Sequence, residues 1–161
     1  MDIEYKKITD FPRGTLLNLL RDGYSFEPRF ERDFINQWQE FDDFFYDNPK
    51  IAEKYGFMTT LNGKPIGFVT WDPRKLPELV EMGHNCISSK YKGNGYGKRQ
   101  MKEAINRIVL QGAKKVRVFT NEILLPAQHT YESAGFKFVS KSDEPVNENY
   151  AGKRIHYEMI I

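Results

Sequence analysis

Three glycines on alternate positions, Gly93, Gly95 and Gly97, stand in the segment YKGNGYGKRQM (residues 91–101), flanked by Lys92 and Lys98. Glycine leaves the backbone bare, so a bulky group can approach a run of amide hydrogens. The segment leads into a stretch of helical periodicity. The unsatisfied N–H groups of a helix start, with a macrodipole worth about half a positive charge, favour an anion there. Phosphate is the natural occupant, and Lys92 and Lys98 are expected to add charge at its rim. A glycine-rich turn without ligand is the plainer alternative. Two common phosphate loops do not fit the letters. A Walker loop needs Gly, four residues, then Gly-Lys-Ser/Thr, but Lys92 lies five positions before Gly97 and Arg99 follows Lys98. A G-x-G-x-x-G dinucleotide loop would need glycine at position 98 or 100, where the chain has Lys98 and Gln100.

A second constellation follows in PAQHTYESAGF, residues 126–136, where Tyr131 precedes Gly135 and Phe136. Together the two segments resemble the GNAT superfamily of N-acetyltransferases. Lys92, Gly93, Asn94, Gly95, Tyr96 and Gly97 fill the acyl-coenzyme A loop [Q/R]-x-x-G-x-[G/A], with Lys92 as the basic stand-in, and Tyr131, Gly135 and Phe136 match the family's Tyr-x-x-x-Gly-Phe helix end. Leu124 departs from the pattern, since many members carry Asn before this helix. The resemblance implies acetyl-CoA as co-substrate, its pyrophosphate on the amides from Gly93 to Lys98 and its pantetheine arm along the backbone of Ile87, Ser88 and Ser89. It implies no metal.

On that reading an amine attacks a thioester, and a lysine-like amine with pKa about 10.4 must first lose a proton. Glu81, six residues before Ile87, stands where several GNAT members place a base glutamate. Regular alternation puts Glu81, Gly83, Asn85 and Ile87 on one strand face and Met82, His84 and Cys86 on the other. A bulge would swap the faces and bring His84 forward as base instead. Glu81 ranks first and His84 second; a salt-bridged carboxylate and a structural imidazole are their bland alternatives. The resemblance makes Tyr131 the general acid or sulfur-holding hydroxyl, against a packing role for a half-buried tyrosine. Cys86 as an acyl-carrying nucleophile has no histidine fixed beside it by the sequence.

The acceptor implied is a primary amine on a small molecule or peptide. Asp42, Asp43 and Asp47, in a segment rich in aromatics from Tyr24 to Asp47, would suit a cationic amine. The alternative makes Phe30, Phe34, Trp38, Phe41 and Phe45 a core stripe and the aspartates its wet side. Two rivals from other classes are a non-catalytic acyl-CoA-binding sensor of GNAT type and a basic nucleic-acid surface over KYKGNGYGKRQMK.

The elements that must position these residues can be read from periodicity. A strand is expected over residues 3–8, a helix from Pro12 to Gly23, and a second helix from Pro28 to Asn48-Pro49. YGFMTTL and KPIGFVTW flank Asn62-Gly63 as a hairpin. LVEMGHNCI reads as a strand entering the glycine loop, and Met101, Ala104, Ile105, Ile108 and Val109 as the apolar face of a helix ended by Gly112. KKVRVFT is a strand, PAQHTYESA a helix, and FKFVS and RIHYEMII are strands joined by the acidic KSDEPVNENYAGK. The order predicts an α/β (α+β) fold, a mixed, mostly antiparallel central sheet flanked by helices, in a single domain over residues 1–161.

Composition bounds the rest. The 161 residues carry 24 Lys plus Arg against 22 Asp plus Glu, and a net charge of +2 argues against nucleic acid or membrane as partner. One cysteine excludes an intrachain disulfide. No apolar stretch reaches the roughly 18 residues of a membrane span, so a cytoplasmic protein is expected, with a homodimer among the assemblies open to it.

Overall fold

The computed structural model describes residues 2–143 and 153–161. Seven strands, β1 (Ile3–Lys6), β2 (Gly56–Leu61), β3 (Lys64–Asp72), β4 (Val80–Ile87), β5 (Lys115–Asn121), β6 (Lys137–Ser142) and β7 (Arg154–Ile160), form one sheet in the order β1-β2-β3-β4-β5-β7-β6. The described ladders β1–β2, β2–β3, β5–β7 and β6–β7 are antiparallel, and β4–β5 is parallel. Five α-helices accompany them among the described residues: α1 (Thr15–Gly23), α2 (Pro28–Asp47), α3 (Pro49–Lys54), α4 (Tyr96–Leu110) and α5 (Leu125–Ser133). The mixed α/β (α+β) fold expected from the sequence is the one observed. The acidic connection between the last two strands lies for residues 144–152 outside the described ones.

The chain gathers into two compact units, Met1–Thr70 with His84–Gln100, and Trp71–Gly83 with Met101–Ile161, so that β3, β4 and α4 each contribute to both. In the first unit, Asn62 and Gly63 take φ of 50° and 82° and close the β2–β3 hairpin, the left-handed pair that a tight hairpin turn requires. Ile8, Leu16, Leu20, Phe57, Met58, Ile66 and Phe68 are fully buried in this unit. Helix α1 starts at Gly14, which has no side chain to cap it. The buried carboxylate of Asp42 on α2 does so instead, accepting from the Gly14 and Leu17 amides at 3.0 Å each. Helix α2 ends at Asp47 as its sequence implies, but Pro49, suited to a first helical turn, opens the short α3 that periodicity alone did not reveal.

In the second unit, Val116 and Val118 of β5 and Ile155 and Tyr157 of β7 are buried on one strand face, together with Met101, Ala104 and Ile108 of α4. Val109, expected on that helix face, is instead 41% exposed. Helix α5 has Pro126 in its first turn and ends at Gly135, φ 103°, where the Phe136 amide returns to the Tyr131 carbonyl at 3.0 Å.

Candidate active site

The glycine segment follows β4 through a 3₁₀ turn at Ser89–Tyr91 and becomes the first turn of α4. Gly93 and Gly95 both adopt φ of 80°, which a side chain would strain, and open space surrounds each. Gly97 has ordinary dihedrals; a side chain there would only touch Ile87. Asn94 braces the turn by donating its Nδ2 to the Tyr91 and Lys92 carbonyls at 3.2 Å each. Among the described residues, no amide from Gly93 to Lys98 donates to a protein acceptor. Six consecutive amides at a helix start thus have no protein acceptor among the described residues, an arrangement able to receive an anion of the kind the glycine spacing suggested.

The charge around it differs from the sequence-based expectation. Lys92 does not stand at the rim: its ammonium is turned onto the Gly23 carbonyl and lies 4.6 Å from the Phe26 ring centroid, and desolvation lowers its pKa. It ties the loop to the end of α1. Lys98 and Arg99 remain exposed.

Asp22 on the last turn of α1 makes the same connection, and nothing in its sequence context singled it out. Its Oδ2 accepts from the Ser88 hydroxyl at 2.6 Å and the Ser89 amide at 2.9 Å, while its carbonyl accepts from the Ser89 hydroxyl at 2.6 Å. The Ser88 amide is held by the Ile66 carbonyl at 2.7 Å. The Ser88 and Ser89 amides are therefore already engaged, and a ligand arm running along this stretch meets carbonyls rather than free donors there. Helix α1 approaches β4 closely enough that a Cβ on Gly23 would lie 2.7 Å from the Cys86 sulfur. Cys86 donates to the Leu19 carbonyl at 3.1 Å, and burial pushes its thiol up to about 12. That environment suits a packed thiol, not a nucleophile.

Gln100 is the other residue that sequence reading passed over, because an amide in a helix carries no apolar period. It is fully buried. Its Nε2 reaches the Phe68 carbonyl at 2.8 Å, Asn85 Oδ1 at 2.7 Å and the Cys86 carbonyl at 3.2 Å, and its Oε1 accepts from the Thr59 hydroxyl at 2.6 Å. One side chain thus fixes β2, β3 and β4 to the helix start that carries the cradle.

The candidate bases diverge. His84 faces the aromatic stripe of α2, with the Phe41 ring edge-on at 4.9 Å and Phe68 at 6.4 Å. Desolvation by these surroundings pushes its pKa down to about 4, so the imidazole is neutral at pH 7 and loses the proton affinity that recommends ordinary histidines. Glu81 pairs across the parallel ladder with Arg117, whose Nη2 donates to Oε2 at 2.8 Å. Among the described residues, Oε1 has no partner. Tyr131 is 6% exposed, packed by the rings of Phe136 and Tyr157 at 5.7 and 6.1 Å. Burial raises its phenol pKa, so the hydroxyl stays protonated, and it has no partner among the described residues. The second unit holds Glu81 and Tyr131, while the first holds the loop and His84.

The aspartates proposed to attract a cation are spent. Asp42 caps α1, and Asp43 and Asp47 pair with Arg13 at 3.1 and 2.5 Å. Of the α2 stripe, Phe30, Trp38 and Phe45 are buried and Phe34 and Phe41 half-buried, while Asp42, placed by that reading on the wet side, is buried as well.

The model of the acetyltransferase (GNAT) family matches residues 15–136, three quarters of the chain and both segments described above. The chain belongs to the GNAT family. Its sequence is also similar to N-acetylaspartate synthetase of Xenopus tropicalis, 26% identical over 83 residues, 52% of this chain and 31% of that protein. The chain therefore spans about a third of that relative's length. In three dimensions it resembles a GNAT-family chain from Desulfovibrio desulfuricans, with a TM-score of 0.76 at 16% identity over 99% of this chain and 98% of that one. It also resembles a GNAT acetyltransferase from Elizabethkingia anophelis solved with acetyl-CoA bound, with a TM-score of 0.66 at 16% identity over 99% and 97% of the two chains. These likenesses establish the GNAT fold. No helix among the described residues is long and apolar enough to cross a membrane.

Proposed function

We propose that this GNAT chain, acting as one domain over residues 1–161, is an N-acetyltransferase that moves the acetyl group of acetyl-CoA to a primary amine. The observation that carries the reading is the run of unpaired amides from Gly93 to Lys98 at the start of α4, opened by two glycines at φ 80°. Family membership supports acetyl-CoA as the anion's source.

In the reaction the amine nitrogen attacks the thioester carbonyl carbon, a C–N bond forms, the C–S bond breaks, and the products are an acetamide and coenzyme A. The amine's proton must leave. Glu81, held by Arg117 with Oε1 open, is our choice of base; His84 is second, since a neutral imidazole of low proton affinity draws a proton weakly. Tyr131 meets the departing sulfur. A free thiol titrates at about 8.5, below the raised phenol, so Tyr131 stabilises the thiolate as a hydrogen-bond donor rather than by surrendering its proton outright. In this reading Ile87, Ser88 and Ser89 line the pantetheine path, Gly93, Asn94, Gly95, Tyr96, Gly97 and Lys98 build the pyrophosphate cradle, and Lys92 anchors that loop to the end of α1. A GNAT-type sensor that binds acyl-CoA without turnover is the rival reading.

Thiol release from acetyl-CoA, followed with amino acids, polyamines, aminoglycosides and lysine- or N-terminus-bearing peptides, separates the two. Release with one amine class is expected. Silence across all of them, with acetyl-CoA still bound, would favour the sensor.

A further inference from the structure

In the second unit, Arg117 and Phe119 of β5 and Arg154, His156 and Glu158 of β7 alternate with the buried Val116, Val118, Ile155 and Tyr157, and so share the opposite strand face. Phe119 is the centre of a cationic cluster there. The Arg154 guanidinium carbon lies 3.9 Å from its ring centroid and that of Arg117 5.3 Å, while the His156 ring is 4.9 Å away, tilted by 36°. Glu81 answers part of this charge, accepting from Arg117 at 2.8 Å, while Glu158 lies 3.2 Å from the neighbouring Lys115 ammonium.

The remainder is unanswered. Among the described residues, the Arg154 guanidinium has no hydrogen-bond or ion-pair partner. Arg117 Nε is buried without an acceptor. His156 Nε2 lies 2.9 Å from Glu158 Oε2 but makes no aligned hydrogen bond with it. Buried polar atoms normally find partners, and two such atoms on one sheet face have none among the described residues, one of them the Arg117 Nε donor. An arginine laid over an aromatic ring keeps its in-plane N–H groups outward, where a carboxylate can meet two of them in parallel.

We propose that Arg154, with Arg117, Phe119 and His156, forms a subsite for a carboxylate of the acceptor, so that the amine acetylated is an acidic one. The inference rests on the N-acetyltransferase reading and replaces the expectation of a cationic acceptor, whose aspartates are engaged elsewhere. The subsite adjoins Glu81 through Arg117, so the group that holds the acceptor's carboxylate also holds the candidate base. A polyamine or aminoglycoside would be repelled by the same guanidinium groups.

The test is calorimetric titration with aspartate and with its diamide, which keep the same amine and differ only in the carboxylates. Wild type, Arg154→Gln and Arg154→Lys are compared, with acetyl-CoA titrated into each in parallel. Wild type is expected to bind aspartate at least tenfold more tightly than the diamide. Arg154→Gln should abolish most of that preference and Arg154→Lys keep part of it, with acetyl-CoA affinity unchanged in both. The proposal is overturned if wild type binds the diamide as well as aspartate, if Arg154→Gln keeps the full preference, or if the variants lose acetyl-CoA affinity instead. The wild-type comparison decides even if a variant fails to fold. Wild type that prefers aspartate but does not bind acetyl-CoA would uphold the anion site and count against the acetyltransferase reading.

Discussion

At the scale of single residues, environment changes what each side chain can do. A histidine walled by Phe41 and Phe68 is neutral, a cysteine under α1 is locked as a thiol, and a tyrosine on α5 keeps its proton. Tyr131→Phe deletes only the hydroxyl and leaves the ring packed against Phe136 and Tyr157. If that hydroxyl stabilises the leaving thiolate by a hydrogen bond to charge of about 2 kcal/mol, kcat should fall roughly thirtyfold. The acetyl-CoA dissociation constant should stay as in wild type. Steady-state kinetics beside an equilibrium titration makes the check, and unaltered kcat would remove Tyr131 from the chemistry. Sequence alone could nominate Tyr131, because its spacing to Gly135 and Phe136 is local. It could not foresee that Arg117 would hold Glu81 or that Arg13 would claim Asp43 and Asp47, since those partners lie 36, 30 and 34 positions away.

At the scale of elements, the strand, glycine loop and helix that carry the cradle were legible, because turn glycines and apolar periods are local signals. What ties them together was not. Asp22, Lys92 and Gln100 act through backbone carbonyls and amides distant in sequence, and no periodicity marks a residue whose partner is main chain. Helix α3 escaped because Asn48-Pro49 reads equally as an end and as a beginning. Gln100 gives this scale its test. Gln100→Met fills a similar volume but leaves the Thr59 hydroxyl and the carbonyls of Phe68 and Cys86 facing an apolar chain. Unsatisfied buried groups of this kind should cost about 3 kcal/mol in all, which lowers Tm by roughly 6–12 °C for a chain of this size. Thermal unfolding reads it directly, and an unchanged Tm would mean that Gln100 does not brace the helix start.

For the whole molecule, near-balanced charge means that the anion binding proposed for the glycine loop must come from local backbone geometry, not from a basic surface. The GNAT family match spans residues 15–136, and the unpaired amides of the glycine segment lie within it. The claim on which the rest depends is that this loop holds acetyl-CoA. Its most direct test is the titration of acetyl-CoA into wild type and Gly95→Val, since a β-branched residue at φ 80° is strained by about 1–2 kcal/mol and must distort the turn. Binding to wild type, weakened about tenfold or more in the variant, is the predicted result. Equal affinity in the two proteins, or no binding by wild type, would contradict it.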